Sequence, residues 1–227
     1  MDPAEIYSTS RARLLDLAHD LTPDQEAAPL RPTPPWTVVD GYRHLTGVCC
    51  DVLDGNMPPG LPDGAAAWTA EQLASRADLT LDQVCEQWAT RAPELDARVA
   101  AAGAAMGFVA LDAWTHEQDI RDATGAGALH DDASLPGLIE LTVGAMGRFY
   151  AGQGGPPLRL VLDGEEHRTG DGDPTTTLVT TPYELMRMVF GRRSDAQIAA
   201  ADWSGDGAAA ARAAITLFPA QPEDLVD

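Results

Sequence analysis

The chain has no lysine: all 15 of its cationic side chains are arginine, against 35 acidic ones, for a formal net charge of −20. A surface of that sign repels nucleic-acid phosphates and anionic lipid headgroups, and no basic cluster larger than Arg192-Arg193 offsets it locally. Nucleic acid and membranes are therefore not expected partners. Cysteine is scarce as well. Cys49, Cys50 and Cys85 make an odd number, and the adjacent pair Cys49-Cys50 fits neither a CxxC metal knuckle nor a redox motif, so the thiols are expected to be reduced and partly buried in helices. Long apolar runs are missing too. Nothing approaches the ~18 uninterrupted apolar residues of a membrane span, and MDPAEIYSTSRARLLDL at the start has neither the basic residues nor the apolar stretch of a signal peptide. These absences predict a cytoplasmic protein.

What is present is enough apolar material for a core: 44% hydrophobic residues in 227, room for one large domain or two modest ones. Pro3 followed by AEIYSTSRARLLDLAHDL predicts a first helix with proline near its start, where a missing N–H costs little. The proline-rich TPDQEAAPLRPTPPW leads to a second helix, opened by Thr37 and Asp40 in a variant of the capping box and running to about Gly55. Val38, Tyr42, Leu45, Val48, Cys49 and Val52 mark its buried face, with His44 at the border of that stripe. After the loop GNMPPGLPDG, helical patterns cover about 69 to 77, 81 to 102 and 104 to 124, and LPGLIELTVGAMGRFYAG supplies another helix from Leu135.

The break GQGGPP, residues 152 to 157, is a composition shift that reads as a domain boundary, with a helical bundle over 1–152 and a small α+β unit over 157–227. In the second part LRLVLDG and TTTLVTT read as strands separated by the turn-rich GEEHRTGDGDP, and PYELMRMVFGRR as a short helix. AQIAAADW reads as a further strand and GDGAAAARAAITLF as a last helix. The expected class is mainly α with a smaller α+β domain.

The most informative stretch is ALDAWTHEQDIR. At about 100° per residue, Ala105, Phe108, Val109, Asp112, Thr115, His116, Asp119 and Ala123 share one stripe, so a carboxylate and an imidazole point inward with the apolar groups. Burying both costs several kcal/mol unless something pairs with them. A divalent metal satisfies both at once, and so does a buried Asp–His hydrogen bond. Asp119, one turn on, can orient a ligand from behind. Arg121 can pair with Asp122 or Glu117, and Trp114 points away from Asp112 toward another packing surface. His19 and His130 read as solvent-facing, His167 as part of a polar turn, and Cys49 and Cys50 as packed thiols turned well round from His44.

Trp36-Thr37-Val38-Val39-Asp40 with His44-Leu45, then Asp112-xxx-His116-xx-Asp119-Ile120-Arg121 closed by Ala123-Thr124-Gly125, together resemble the mycothiol-dependent maleylpyruvate isomerase family. That family joins a DinB-like four-helix bundle to a C-terminal domain similar to sterol carrier proteins, and TPYELMRMVFGRR followed by WSGDGAAA carries a looser match to the latter. The resemblance implies one divalent metal, usually zinc, held by His44, Asp112 and His116. Some relatives carry Glu where this chain has the shorter Asp112. Three N/O ligands leave a tetrahedral zinc one open position, as in catalytic sites.

In the family that position takes the sulfur of mycothiol, a low-molecular-weight thiol. A thiol of pKa near ~8.5 is mostly protonated at neutral pH, and coordination to a dication deprotonates it. The thiolate adds to the cis double bond of maleylpyruvate, the bond rotates, and elimination gives fumarylpyruvate; keeping the adduct instead makes the reaction an S-transfer. The second domain is expected to supply a cationic group for a carboxylate substrate, with Arg192, Arg193 and Arg212 as candidates. Screening confines the repulsion by the net charge to about 8 Å, so local arginines can override it. Loops such as 55 to 68 are expected to select the small electrophile. Two other readings compete: a metal-dependent hydrolase whose open position holds water, and a non-enzymatic binding or regulatory protein in which the metal only stabilises the bundle.

Overall fold

Helix starts in this chain are set by side chains that satisfy otherwise free backbone N–H groups. A computed structural model describes residues 1–58, 65–152 and 157–227; part of the 55 to 68 loop and residues 153–156 of the GQGGPP break lie outside the described residues. Helix α1 (Pro3–His19) opens with a capping box between Asp2 and Glu5 and with proline in its first turn. A single turn, α2 (Pro23–Glu26), interrupts the proline-rich connection. Helix α3 (Val38–Asp54) starts where the Asp40 carboxylate accepts from the Thr37 N–H at 3.0 Å and hydroxyl at 2.9 Å, and ends at Gly55 in the left-handed conformation.

Helix α4 (Ala65–Ala74) lies against α3, and Thr80 with Gln83 caps the long α5 (Leu81–Ala102). A 3-10 turn, Gly103–Met106, then bends the chain into α6 (Gly107–Thr124). Ala105 therefore falls in that turn and is exposed, outside the inward stripe that helical spacing assigns it. The run Leu81–Thr124 is apolar and long enough to cross a membrane by length and composition, yet Gly103 breaks it. Its Val99, Val109, Ala110 and Ala113 are buried bundle core.

Helices α1, α3, α5 and α6 form the bundle, and polar bonds fix their crossings. Tyr42 on α3 donates to the Leu14 carbonyl on α1 at 2.8 Å, and the Trp88 indole on α5 donates to the Tyr7 hydroxyl at 2.7 Å. Arg11 on α1 pairs with Asp96 on α5 at 2.6 and 2.8 Å. Arg13 grips Glu117 on α6 through two bonds of 2.6 and 2.8 Å, and the Glu117 side chain is fully buried. Helix α6 is enclosed almost all round from Val109 to Ile120, which is why its sequence shows so weak an apolar stripe.

The chain gathers into two compact units, Met1–Leu129 joined by Asp227, and His130–Val226. The division falls ahead of α7 (Leu135–Gly152), whereas the composition shift stands after it. Helix α7 packs on α8 (Pro182–Val189), where the buried Thr142 hydroxyl donates to the Met186 sulfur at 3.2 Å. The sheet of this unit has the order β2-β1-β3-β4. Strand β1 (Leu158–Leu162) runs antiparallel to β2 (Glu165–Arg168) and parallel to β3 (Thr176–Thr180), which runs antiparallel to β4 (Asp202–Gly205).

Two expectations for this unit change. GEEHRTGDGDP contains β2, an exposed edge strand, and His167 pairs opposite Leu160 in it instead of standing in a turn. AQIAA is not a strand: Ser194 and Gln197 form a capping box for helix α9 (Asp195–Ala200), and the strand begins only at Asp202. The last helix, α10 (Ala208–Ala214), packs on β3 and β4.

Removing a guanidinium from a buried carboxylate leaves a charge without its counter-ion. Arg13→Ala is expected to lower the unfolding free energy by about 3 kcal/mol in urea titrations, and Arg13→Ala/Glu117→Gln to recover most of that loss. Equal stability of wild type and Arg13→Ala would show that Glu117 does not depend on this pair.

Candidate metal centre

Helix α3 carries His44, and α6 carries Asp112 and His116 one turn apart on the side facing it. His44 Nε2 lies 3.4 Å from Asp112 Oδ1, and His116 Nε2 lies 3.7 Å from the same oxygen. One ligand atom from each residue falls within 4.8 Å of the other two. A tetrahedral ion at about 2.1 Å from each donor holds its donors about 3.4 Å apart, so the trio matches that geometry to within small side-chain movements. Two imidazole nitrogens and one carboxylate oxygen are borderline-hard donors of the kind zinc takes.

Burial is uneven across the trio. The side chains of His44 and His116 are 4% and 8% exposed, whereas that of Asp112 is 29% exposed, although its Oδ2 atom is buried. The cluster is thus walled on the histidine side and open on the carboxylate side. Trp36, in the loop before α3, covers both rings: its centroid lies 5.1 Å from that of His44 and 5.8 Å from that of His116, nearly parallel to the latter. The two imidazoles meet edge to face at 4.9 Å.

Each histidine is also held from behind. His116 Nδ1 lies 3.2 Å from Asp119 Oδ2, off the line of an ideal hydrogen bond but close enough for the buried carboxylate to favour a proton there. Asp119 thus stands where helical spacing puts an orienting residue. His44 Nδ1 lies 2.8 Å from the side-chain oxygen of Gln72 on α4. Gln72 is 2% exposed and escapes sequence reading, because a glutamine on a short helix carries no signal of what it will meet. Trp36 is visible in the sequence only as part of a motif and not as the cover of the site.

Other candidate residues have different work. Arg121 pairs with neither Asp122 nor Glu117; it donates to the Gly127 and Ala126 carbonyls at 2.7 and 3.1 Å and closes the end of α6. Asp122 meets Arg31 at 2.7 Å. The indole of Trp114 is fully buried. His19 is exposed, as is His130, whose ring stands 4.3 Å from that of Tyr183.

Arg192, Arg193 and Arg212 all belong to the second unit. Arg193 holds Glu184 through two bonds of 2.8 and 2.7 Å, and Arg192 donates to the Phe190 carbonyl at 2.6 Å; both are buried. Arg212 is half-buried and reaches the Ala199 carbonyl at 3.4 Å.

The cysteines are free. Burial pushes the Cys49 thiol up to about 11, against a downward pull from Tyr7 and the arginines, and pushes Cys85 up to about 12. At pH 8 only about one Cys49 side chain in a thousand is then a thiolate. Alkylation of Cys49 and Cys85 in the native protein at pH 8 is expected to run more than about 100-fold slower than in urea, and to rise about tenfold per pH unit. Peptide mapping by mass spectrometry reads this site by site, and rapid native labelling of Cys49 would contradict it.

No protein-family model matches the sequence, and no curated protein matches it significantly. Two solved structures are similar to it. A crystal structure of the mycothiol-dependent maleylpyruvate isomerase aligns with a TM-score of 0.52 at 13% identity, and a mutant of that enzyme with 0.51 at 12%. In both cases the match covers 90% of this chain and 92% of the other. The chain therefore has the fold of that isomerase: a helical bundle followed by a small α/β unit.

Proposed function

We propose that this protein is a divalent-metal, mycothiol-dependent enzyme acting on a small electrophile, as an isomerase of the maleylpyruvate type or as an S-transferase. The observation that carries the proposal is the convergence of His44 Nε2, Asp112 Oδ1 and His116 Nε2. With both imidazole protons on Nδ1, two lone pairs and a carboxylate oxygen converge on one point, an arrangement that a divalent cation satisfies at once. The likeness in fold to the mycothiol-dependent isomerase supports the choice of thiol chemistry.

Bound there, a zinc or other divalent ion supplies a Lewis acid that lowers the pKa of a coordinated thiol, so that sulfur is a nucleophile at neutral pH. The chain's own residues set the conditions for that chemistry. His44, Asp112 and His116 hold three positions and leave the fourth for a ligand. Asp119, 3.2 Å from Nδ1, favours the His116 proton there and so the lone pair on Nε2. Trp36 lies over both imidazoles and excludes water from that side. Access comes past the partly exposed Asp112. The protein's own Cys49 and Cys85 are disfavoured as nucleophiles, because burial keeps both protonated.

A cationic group for a carboxylate substrate is assigned to the second unit, among Arg192, Arg193 and Arg212. Arg212 is the least enclosed of the three, while Arg193 is already engaged by Glu184. A cytoplasmic location fits a reaction that draws on a low-molecular-weight thiol.

The test is metal content followed by turnover. Purified protein is expected to hold close to one zinc per chain, and His116→Ala to bind it more than about 100-fold more weakly, beyond the range typical of outer-sphere substitutions. Consumption of maleylpyruvate or a related electrophile is expected only when mycothiol is added. Turnover of an ester or amide without thiol would replace this reading with a hydrolase. Zinc-dependent thermal stabilisation with no turnover of any kind would leave a non-enzymatic binding protein.

A further inference from the structure

We propose that Asp51, acting through Gln72, sets the tautomer of His44, and that Gly47 is the residue that allows Gln72 to reach it. The inference deepens the metal reading above and rests on it for its functional meaning, although the tautomer itself does not depend on a metal.

The argument starts from proton counting. The Gln72 amide nitrogen lies 2.7 Å from Asp51 Oδ2, and its oxygen lies 2.8 Å from His44 Nδ1. An ionised carboxylate only accepts hydrogen bonds, so the donating end of the amide must face Asp51. The amide oxygen is thereby turned to His44 and can only accept. Asp112 Oδ1, also an acceptor, competes for the proton at Nε2 from 3.4 Å, and the shorter 2.8 Å contact to Gln72 holds the single proton of the neutral imidazole on Nδ1, leaving the lone pair on Nε2. Without Asp51 the amide could present either end, and the imidazole could place its proton on either nitrogen. Asn56 adds a second donor to Asp51, at 3.0 Å to Oδ1, and holds the carboxylate in place.

The geometry of α3 is arranged around this contact. His44, Gly47 and Asp51 stand at i, i+3 and i+7, on one stripe of the helix, and Gln72 from α4 lies across that stripe. A Cβ at position 47 would come within 2.6 Å of both Cβ and Cγ of Gln72, and 3.0 Å of its Cδ. Those atoms are the base of the side chain and not its flexible tip, so any larger residue at 47 must displace Gln72. Gln72 is a positioning residue: it touches His44 and acts through it. Helix α4, which stands outside the four-helix bundle, delivers it.

The experiment uses metal-free, 15N-labelled protein at about pH 8.5, well above the ordinary histidine pKa of about 6.5, with long-range 1H–15N spectra of the imidazoles. The chain has only 5 histidines, so His44 is assignable by substitution. Wild type is expected to show His44 protonated at Nδ1 and bare at Nε2. Gln72→Leu is expected to move the proton toward Nε2 and to weaken zinc binding about 10- to 100-fold in chelator competition. Gly47→Ala is expected to do the same without altering any residue of the network.

The swap Asp51→Asn/Gln72→Glu puts the donor at 51 and the acceptor at 72, and is expected to keep the Nδ1 proton and to bind zinc within a few-fold of wild type. Should Gly47→Ala fail to fold, Gln72→Leu and the swap carry the test alone. An unchanged His44 tautomer and zinc affinity in Gln72→Leu would overturn the proposal, as would a swap that behaves like Gln72→Leu. If wild type binds no zinc, the metal reading fails, and the tautomer comparison still decides the relay.

Discussion

The structure depends on three polar atoms that have no business being close together. Two imidazole nitrogens and a carboxylate oxygen meet where α3 faces α6, within 4.8 Å of one another and under the ring of Trp36. A cation or a shared proton relieves the repulsion among these acceptors, and either requires α3 and α6 to be held at this spacing. The polar ties between the other helices serve that end. Arg13 pins α6 to α1 through Glu117, and Tyr42 pins α3 to α1 through the Leu14 carbonyl, so the helices that carry His44, Asp112 and His116 are each fixed to a common third.

The supports behind the two histidines differ in charge. Asp119 brings a full negative charge to the back of His116, whereas Gln72 brings only a dipole to the back of His44 and keeps the Asp51 charge one residue further off. With a dication among the ligands, the charges of Asp112 and Asp119 sum to neutrality. A neutral centre accepts an additional anion such as a thiolate more readily than a negative one would, because the added charge meets no net repulsion at short range. A carboxylate directly behind each histidine would have left the centre negative before any thiol arrived.

Much of this was legible in the sequence where the signal is local. The one-turn spacing of Asp112 and His116, the position of Asp119 a turn later, the proline at the start of α1 and the cap at Thr37 follow from helical periodicity and backbone chemistry alone. What local signal does not carry is the partner that another element brings. Gln72 arrives from α4 and Arg13 from α1, and neither residue type announces its destination. Strand β2 is hidden because an exposed edge strand made of Glu-Glu-His-Arg has no apolar alternation to display. The alanine-rich start of AQIAAADW, by contrast, has a helix propensity and a Ser194 cap that outweigh its resemblance to a strand. The unit division ahead of α7 rests on contacts with α8, which composition along the chain does not encode.

Helix α6 also packs closely on α3 at Gly41, one turn before His44. A Cβ there would stand 3.0 Å from Leu30 Cδ1 and 3.1 Å from Ile120 Cδ1, side-chain tips that would have to give by a few tenths of an ångström, so the glycine eases the packing of Ile120, one turn after His116, on α3. Gly47, on the other side of His44, does the same for Gln72 of α4. Glycine inside a helix costs about 1 kcal/mol relative to alanine. Two of them within two turns of α3 lower its intrinsic helix propensity, and each is matched by the close packing of a neighbouring helix or loop. His44 lies between them, with Ile120 of α6 packed at Gly41 and Gln72 of α4 packed at Gly47.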